Sequence, residues 1–410
     1  MITLIALAVA LLHRPTAKPA DTSNAGLYQA RPGYSHDDGV GDPGALQTDL
    51  GPVISYGGQP VVQACGVLSP TDITALGLRL DNSPLTSTIQ RTFFDGSGQG
   101  TVVTGDSSSL PRDEDANSCT YRFDSSDRDL VSLAVYQPSY ANTSAFNAEQ
   151  NRHYTAQPDQ PGVHIYLANP TGQAALDAKA TTYLLRGTVA NAQLLIITTN
   201  TAERTRILAR VAANLAKTQT TPTGLPEFSL RSPIFTGGPI LAACSLLTND
   251  VYRAAFNVDA SPLVQENAAS AIGVIDDGPS SSHAPRRYNY ADSDCVRHNS
   301  ARTKLEAVNL RVVTTTYETA TDAQAAMKFK RDESPFTSGV QSTPTTLGDE
   351  SFYASKLAEA DHALAFRKGR VIVVATFSLP QNNSAVSDAG RLHVLMAAAQ
   401  VMINEHLKNF

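Results

Sequence analysis

Four cysteines are the residues of this chain whose spacing most clearly indicates chemistry. Cys65 and Cys119 are 54 residues apart, and Cys244 and Cys295 are 51 residues apart. Four cysteines allow three pairings, and a repeated unit would favour Cys65–Cys119 and Cys244–Cys295. Four buried free thiols are the alternative. Zinc is not expected, because no Cys-x-x-Cys or histidine-rich spacing accompanies the cysteines.

The predicted disulfides bear on both stability and location. A bridge that closes a loop of about 50 residues stabilises a protein by about 4 kcal/mol in the chain-entropy model. Disulfides form and persist in oxidising compartments, so the pairing predicts a protein outside the cytoplasm.

The other residues of catalytic type form no recognisable motif. The chain contains no Gly-x-Ser-x-Gly elbow and no His-x-x-x-His or His-Glu-x-x-His pattern. We expect isolated histidines to lie at the surface; those considered are His153, His164, His298 and His362. The carboxylate pairs Asp276-Asp277 and Asp349-Glu350 fall in predicted turns. The sequence therefore predicts no catalytic residue, no metal site and no cofactor.

Three polar segments contain residues that occur in binding sites, and each is better explained as a loop. Residues 36–42 are rich in aspartate but lack EF-hand spacing, and residues 95–100 are rich in glycine but precede no helical pattern. Tyr288 and Tyr290 follow Arg286 and Arg287, which could form an aromatic and basic patch that binds a sugar or a partner. A solvated loop is the favoured interpretation of that patch.

Two stretches of the chain resemble each other and indicate an internal duplication. Pro60 to Leu85 and Pro239 to Leu263 each carry a proline five residues before a cysteine and an alanine directly before it. Two apolar residues and a hydroxyl residue follow at the same offsets, and an Asp-x-Ser-Pro-Leu segment comes later in both. Repeats of this kind should be identified before any other feature is interpreted.

The length and composition fit two globular units. The chain has 410 residues, 42% apolar residues and 17% charged residues, with a net charge of −6. The charged fraction is below the usual value of about 25%, which indicates a surface rich in Ser, Thr, Asn and Gln. The negative charge argues against nucleic acid or an anionic membrane surface as the main partner.

The N-terminal segment agrees with export. Ile2 to Leu12 is an unbroken apolar run, which suits the core of a signal peptide and is too short to span a bilayer. A buried N-terminal element is the alternative. We divide the chain into a signal or anchor segment (1–12), a flexible tether (13–58), repeat one (59–217), a linker (218–236) and repeat two (237–410).

Each repeat is predicted to run through the order helix, strands, helix, strands, helix. Ser69 and Thr248 begin helices, and Asn200 with Glu203 resembles a capping box. The predicted strands are residues 119–123, 130–136, 163–167, 194–199, 305–317 and a hairpin over 364–376, and the other helices are 142–155, 319–331 and 387–407. Antiparallel strands between helices indicate an α+β fold, with a mainly antiparallel sheet and packed helices in each of two tandem repeats.

Several of these motifs resemble the DUF3558 family of small exported or lipid-anchored proteins of actinobacteria. The resemblance is carried by Ala243-Cys244-Ser245-Leu246-Leu247-Thr248, by Cys295 and by Leu347-Gly348-Asp349-Glu350. Repeat one shares Cys65 and Cys119 but has Leu176-Asp177-Ala178-Lys179 where we expect the glycine turn. The resemblance implies a cell-envelope location and a sandwich like that of PsbP and Mog1, and it implies no catalytic residues.

The sequence thus predicts a non-catalytic, exported protein of the cell envelope that binds a partner or ligand. Membrane contact is expected through the N-terminal segment only, at the cell surface or as an anchor. Two alternatives are a carrier of an apolar envelope molecule and an envelope enzyme whose site is assembled from dispersed residues.

Overall fold

The computed structural model describes the chain in segments. These are residues 28–29, 45–56, 59–80, 89–97, 116–123, 129–137, 153–169, 179–230, 239–276, 287–299, 308–333, 338–341, 347–356, 361–379 and 386–408.

Strands alternate with a smaller number of helices. In chain order the strands are β1 (Tyr28–Gln29), β2 (Ala45–Leu50), β3 (Ser55–Tyr56), β4 (Gln59–Pro60), β5 (Ile89–Phe94), β6 (Asn117–Arg122), β7 (Leu130–Tyr136), β8 (Tyr154–Ala156), β9 (His164–Ala168), β10 (Ala180–Arg186), β11 (Asn191–Ile197), β12 (Pro226–Leu230), β13 (Leu263–Asp276), β14 (Arg287–His298), β15 (Asn309–Tyr317), β16 (Ser338–Gln341), β17 (Glu350–Lys356), β18 (Asp361–Lys368) and β19 (Val371–Ser378). The helices are α1 (Ala64–Val67), α2 (Pro70–Ala75), α3 (Thr201–Thr220), α4 (Ala243–Leu246), α5 (Asn249–Phe256), α6 (Ala320–Lys328) and α7 (Asp388–Val401), and π-helical turns over Phe329–Glu333 and Met402–His406 extend the last two.

One antiparallel sheet runs through both halves of the chain. Its strand order is β16-β17-β18-β19-β15-β14-β13-β5-β6-β7-β11-β10-β9-β8, and β1 pairs with β13 outside this path. The mixture of helices with a large antiparallel sheet confirms the α+β class predicted from the sequence.

The strand order of one half matches that of the other. Outward from the middle, β13-β14-β15-β19-β18-β17-β16 corresponds to β5-β6-β7-β11-β10-β9-β8. Directly opposed residues make one row across the sheet, which is Gln341, Tyr353, Leu364, Ala375, Val312, Cys295, Glu266, Arg91, Cys119, Leu133, Leu194, Tyr183, Leu167 and Thr155. Cys119 on β6 and Cys295 on β14 both lie in this row, each one strand away from the β5–β13 pair at the centre of the sheet. Residues of the row that lie at the same distance from the centre therefore occupy equivalent positions in the two halves.

The two halves meet at β5 and β13, in an antiparallel seam. Six opposed pairs run from Ile89–Ala268 to Phe94–Leu263. Arg91 and Glu266, which are equivalent by register, lie opposite each other, with the Arg91 Nε atom 2.6 Å from the Glu266 Oε2 atom. Both side chains are buried, at 8% and 5% exposure.

The seam also carries side chains from one half into the other. Phe93 packs in the hydrophobic core of the second half. Arg297, on β14, forms an ion pair with Asp95 in the loop after β5 and donates from Nε to the Leu247 carbonyl. The two halves therefore share both a ladder and buried charges.

Local capping explains where the helices begin. The Ser69 side chain accepts a hydrogen bond from the Asp72 amide, and the Asp72 carboxylate accepts one from the Ser69 amide, which makes a complete capping box. The Thr248 side chain accepts from the Val251 amide at the start of α5. These two caps confirm the predicted starts of α2 and α5.

Both disulfides are present with the predicted pairing. Cys65–Cys119 ties α1 to β6, and Cys244–Cys295 ties α4 to β14. These bonds agree with an oxidising, extracytoplasmic environment.

Helices cover one face of the sheet in each half, and the second half has a helix on the other face as well. The first core joins α1, α2 and α3 to β5, β6, β7, β10 and β11. The second core joins α4, α5 and α7 to β14, β15, β18 and β19. A third cluster packs Ala323, Ala326 and Met327 of α6 against Ala363 and Ile372 on the opposite face.

The structure corrects two segments that the sequence left without secondary structure. The predicted tether contains β2, and the predicted linker contains β12 and the last residues of α3. β2 and β12 pair with each other over Ala45–Leu50 and Pro226–Leu230. Each strand finds its partner far along the chain, so neither segment carries a local pattern that would reveal it.

Two further predictions concern residues outside the described part. The apolar segment 1–12 and most of the predicted helix over 142–155 are not described. Among the described residues, no helix combines the length and apolar character needed to cross a membrane.

Candidate functional site

The two halves differ at one ladder of the sheet. In the first half, β10 and β11 pair over seven residues, from Arg186–Asn191 to Ala180–Ile197. The equivalent pairing of β18 with β19 ends at Leu364–Ala375, although β17 stays paired with β18 as far as Lys356–Asp361. The sheet therefore splits beside the last residues of β19.

His362 lies at the split and has an unusual backbone. Its φ angle is +58°, in the left-handed region that costs a residue with a side chain about 1–3 kcal/mol. Asn257 is the other described non-glycine residue with positive φ, and it ends helix α5, where this conformation is common. His362 ends no helix, and by register it occupies the position of Thr181, which pairs regularly with Ile196.

Two side chains hold the His362 ring by the same nitrogen. The Tyr353 hydroxyl oxygen is 3.0 Å from His362 Nδ1, and Asp388 Oδ1 is 3.3 Å from it. A protonated Nδ1 donates to Asp388, and an unprotonated Nδ1 accepts from Tyr353. In either case Nε2 makes no contact with these two groups, and the ring is 30% exposed.

The members of this trio have no titratable counterparts in the first half. By register, Leu167 occupies the place of Tyr353 and Thr181 the place of His362. Thr201, which follows the cap of α3, corresponds to Asp388, which follows the Ser387 cap of α7.

Burial keeps the Tyr353 hydroxyl protonated. Desolvation raises the pKa of Tyr353 above its ordinary value of 10.0, and the nearby Asp388 carboxylate raises this pKa further. The phenol is therefore a hydrogen-bonding group for His362 and not a source of charge.

A cavity of about 510 Å³ opens at the split ladder, and we call it the split-ladder cavity. Its walls are Val296, Asn309, Arg311, His362, Thr376, Phe377, Ser378, Leu379 and Arg391. The volume lies within the range of small-molecule sites, which is about 300–1,000 Å³. Because β18 leaves β19 here, residues from both faces of the sheet reach the same space.

The two arginines of the cavity are in different electrostatic situations. Arg311 makes a bidentate ion pair with Asp294, with Nε 3.0 Å from Oδ1 and Nη2 2.8 Å from Oδ2. Arg391 donates from Nε to the Val386 carbonyl and lies over the Phe377 ring, 5.5 Å from its centroid. No carboxylate in the described segments forms an ion pair with Arg391, so its charge faces the cavity uncompensated.

The carboxylate pair predicted in the last turn has a structural role. Arg367 Nε is 2.6 Å from Glu350 Oε1, and Arg367 Nη1 is 2.9 Å from Asp349 Oδ2. The turn contains Gly348, at φ +60°, where an added Cβ would lie 2.2 Å from the Arg367 carbonyl oxygen. The pair therefore neutralises a buried arginine.

The register also corrects the position of the matching turn in the first half. His164 opposes Arg186 as Glu350 opposes Arg367, so the equivalent of Gly348 is Gly162, at φ +81°. The sequence predicts this turn at Leu176–Lys179, of which only Lys179 is described. A glycine at each turn adopts the left-handed backbone conformation that the turn requires. The sequence predicts the turn of the first half at the wrong position.

His164 is exposed, as predicted, and has an acidic partner. Its Nδ1 atom is 2.7 Å from Asp159 Oδ2. The hydrogen bond from His164 lowers the pKa of Asp159 below its ordinary value of 3.8. Both side chains are more than half exposed, so the pair lies at the surface.

The other residues that the sequence suggests do not meet at a site within the described part of the chain. The His153 carbonyl accepts from the Asn169 amide, and the His298 carbonyl accepts from the Ser261 amide. Tyr290 is fully buried in strand β14 against α6, so the favoured solvated loop and the alternative aromatic and basic patch are both wrong for this residue. Residues 36–42 and 98–100, together with Asp277 and Arg286, lie outside the described residues, and the side chains of Asp276, Arg287 and Tyr288 are not described.

Metal binding has no support in the described part of the chain. No group of three or more His, Cys, Asp or Glu side chains is close enough there to hold a metal ion. Asp95, in the glycine-rich segment, pairs with Arg297 instead.

Sequence reasoning named His362 but missed the residues around it. Tyr353 lies on the preceding strand, Asp388 and Arg391 lie on the last helix, and no motif links them to His362. The usable signal is a difference between the two halves, since Leu167, Thr181 and Thr201 occupy the equivalent positions.

The functional interpretation therefore depends on the chain's own geometry. Comparison of the chain with protein-family models, with curated proteins and with solved structures finds no match.

Proposed function

We propose that this chain is an exported, non-catalytic binding protein of the cell envelope, and that a small ligand occupies the split-ladder cavity. The observation that carries the proposal is the departure of the second half from the first. One half keeps a regular ladder, and the other breaks the ladder at a strained His362 and opens a cavity beside it. Strain that persists in a fold commonly marks a functional position.

The architecture in this proposal is a tandem duplication of one α+β unit. The matched strand order, the equivalent disulfides and the equivalent helix caps support it. So do two equivalent contacts behind the disulfides, in which the Ala64 amide donates to Asn117 and the Ala243 amide donates to Ser293. A PsbP- and Mog1-like sandwich of the DUF3558 type belongs to the same proposal.

The location in this proposal is the outer side of a membrane, with the segment 1–12 as signal or anchor. The two disulfides support an extracytoplasmic site. The ligand is a small envelope molecule that binds in the second unit. The first unit, whose ladder is intact, binds no ligand in this proposal and completes the sheet.

Native mass spectrometry of the full chain with a small-molecule extract of the cell envelope tests the proposal. We expect ligand adducts with the unaltered chain and their loss in Ser378→Trp, because Ser378 lines the cavity and is exposed enough to accept a larger side chain. Gln400→Trp, on the exposed side of α7, is the control and should retain the adducts. Equal binding by all three proteins, or by none, would contradict the proposed function.

The enzyme alternative starts from His362, whose ring is held by Asp388 as an acid–base histidine would be. Ser378 lines the same cavity, and its Oγ accepts a hydrogen bond from Asn309 Nδ2. Turnover of ester probes by the unaltered chain, abolished by both His362→Gln and Ser378→Ala, would favour this alternative over binding alone.

A further inference from the structure

The split-ladder cavity combines an apolar wall with one uncompensated positive charge. Phe377 and Leu379 belong to the hydrophobic core beneath α7 and present apolar surface to the cavity. Arg391 projects over the Phe377 ring from the second turn of α7. An apolar wall and a cation side by side are complementary to an amphiphile with a negative head group.

The other charges that line the cavity or lie at its rim are matched within the protein. Arg311 is neutralised by Asp294. Asp388 faces His362, and it also lies in the first turn of α7, where the helix dipole favours a negative charge. Arg391 is therefore the charge at this cavity that a ligand can satisfy.

The first half has an arginine at the equivalent position. Arg204 follows the Asn200 cap of α3 by four residues, as Arg391 follows the Ser387 cap of α7. Arg204 donates to the Thr198 carbonyl, at 2.8 Å, beside the intact ladder of β10 and β11. In the second half Arg391 donates to the Val386 carbonyl, and the opened ladder places its side chain beside a cavity, where a ligand can contact it.

We infer that the ligand of the split-ladder cavity is a small amphiphile, with an oxyanion head bound by Arg391 and an apolar tail against Phe377 and Leu379. This inference rests on the proposed function, because it names the chemical class of the molecule that the cavity holds. Carboxylate, sulfate and phosphate heads share the chemistry that a guanidinium recognises. The tail is short, since the cavity has about 510 Å³.

Isothermal titration of the full chain with four probes tests this inference. Octanoate, octan-1-ol and octylammonium share one tail and differ in head group, and acetate has the head without the tail. We expect octanoate to bind most tightly, about tenfold or more above octanol, which corresponds to one charge-assisted hydrogen bond. Octylammonium and acetate should bind more weakly still.

Matched variants assign the effect to one side chain. Arg391→Met keeps an unbranched chain over Phe377 and should reduce octanoate affinity to that of octanol. Arg204→Met removes the equivalent charge in the first half and should leave octanoate affinity unchanged.

The outcomes distinguish failure of the inferred ligand class from failure of the proposed function. If no eight-carbon probe binds while Ser378→Trp still removes adducts formed with the envelope extract, the inferred class is wrong and the proposed function stands; if the extract gives no adducts either, the proposed function fails. If octanol or octylammonium binds as tightly as octanoate, or if Arg391→Met and Arg204→Met behave alike, the cavity binds a ligand and the inferred class is wrong. If acetate binds as tightly as octanoate, the tail contributes nothing and the amphiphile is excluded.

Discussion

Replacing Glu266 by Leu should strongly destabilise the protein, because it leaves the Arg91 guanidinium buried without its counter-charge. Arg91 and Glu266 are 8% and 5% exposed, and their charged atoms are 2.6 Å apart. Removing one partner of a buried pair costs about 3–5 kcal/mol, since the other charge then stays desolvated. Arg91 also donates to the Pro226 carbonyl, at 2.8 Å, which keeps the expected cost near the lower end of that range.

The double variant Arg91→Met with Glu266→Leu should recover most of the lost stability. Replacing a buried ion pair by apolar side chains of similar size is often close to neutral. Equilibrium denaturation with the disulfides intact, followed by tyrosine fluorescence and by circular dichroism, gives the free energy of unfolding for each variant. The difference between the double variant and the sum of the single variants measures the coupling between the two residues.

An exposed ion pair provides the control. Arg253 and Asp259 are both about half exposed, at 51% and 53%, so Arg253→Met should produce no clear shift in the denaturation midpoint. If Glu266→Leu were as mild as Arg253→Met, the seam would not depend on its buried charges. Additive single and double variants would equally refute the reasoning.

Three further predictions concern the disulfides and two titrating groups. Replacing both Cys65 and Cys119 by Ala should lower the free energy of unfolding by about 4 kcal/mol, seen as a lower denaturation midpoint, because the bridge closes a 54-residue loop; no change would contradict the entropic argument. His164→Ala should raise the pKa of Asp159 towards 3.8 in a carboxyl NMR titration, and the stability that this carboxylate contributes above that pH is lost as the pH falls. Because the pKa of Tyr353 is raised, its contribution to stability is complete below pH 10.0 and is lost as the pH rises above that value. Between about pH 9 and 11 the unaltered chain should therefore lose more stability than Tyr353→Phe, and parallel pH profiles would contradict the raised pKa.

Features with a local cause were predictable from the sequence. The caps at Ser69 and Thr248 depend on residues three positions apart, and the buried face of α3 follows from helical spacing. The hairpin of β18 and β19 turns at Gly369, as the residues between the two apolar runs indicated. The two disulfides were predictable because two similar cysteine spacings constrained the pairing.

Features with a non-local cause were not predictable. β2 and β12 carry no pattern of their own and become strands by pairing with each other. The seam forms because β5 pairs with β13, which lies far along the chain, and no pattern within either segment predicts this pairing. The cavity forms where β18 stops pairing with β19, at His362. The positive φ angle of His362 cannot be predicted from the spacing of apolar residues.

The charges at the seam have a consequence for how copies of this protein recognise one another. A two-fold arrangement brings equivalent residues face to face, so a β5 edge that paired with β5 of another molecule would set Arg91 against Arg91. Two β13 edges would likewise set Glu266 against Glu266, and like charges in opposed positions repel. The pairing of β5 with β13 brings unlike charges together. The salt bridge therefore disfavours pairing between like edges of two molecules in this register.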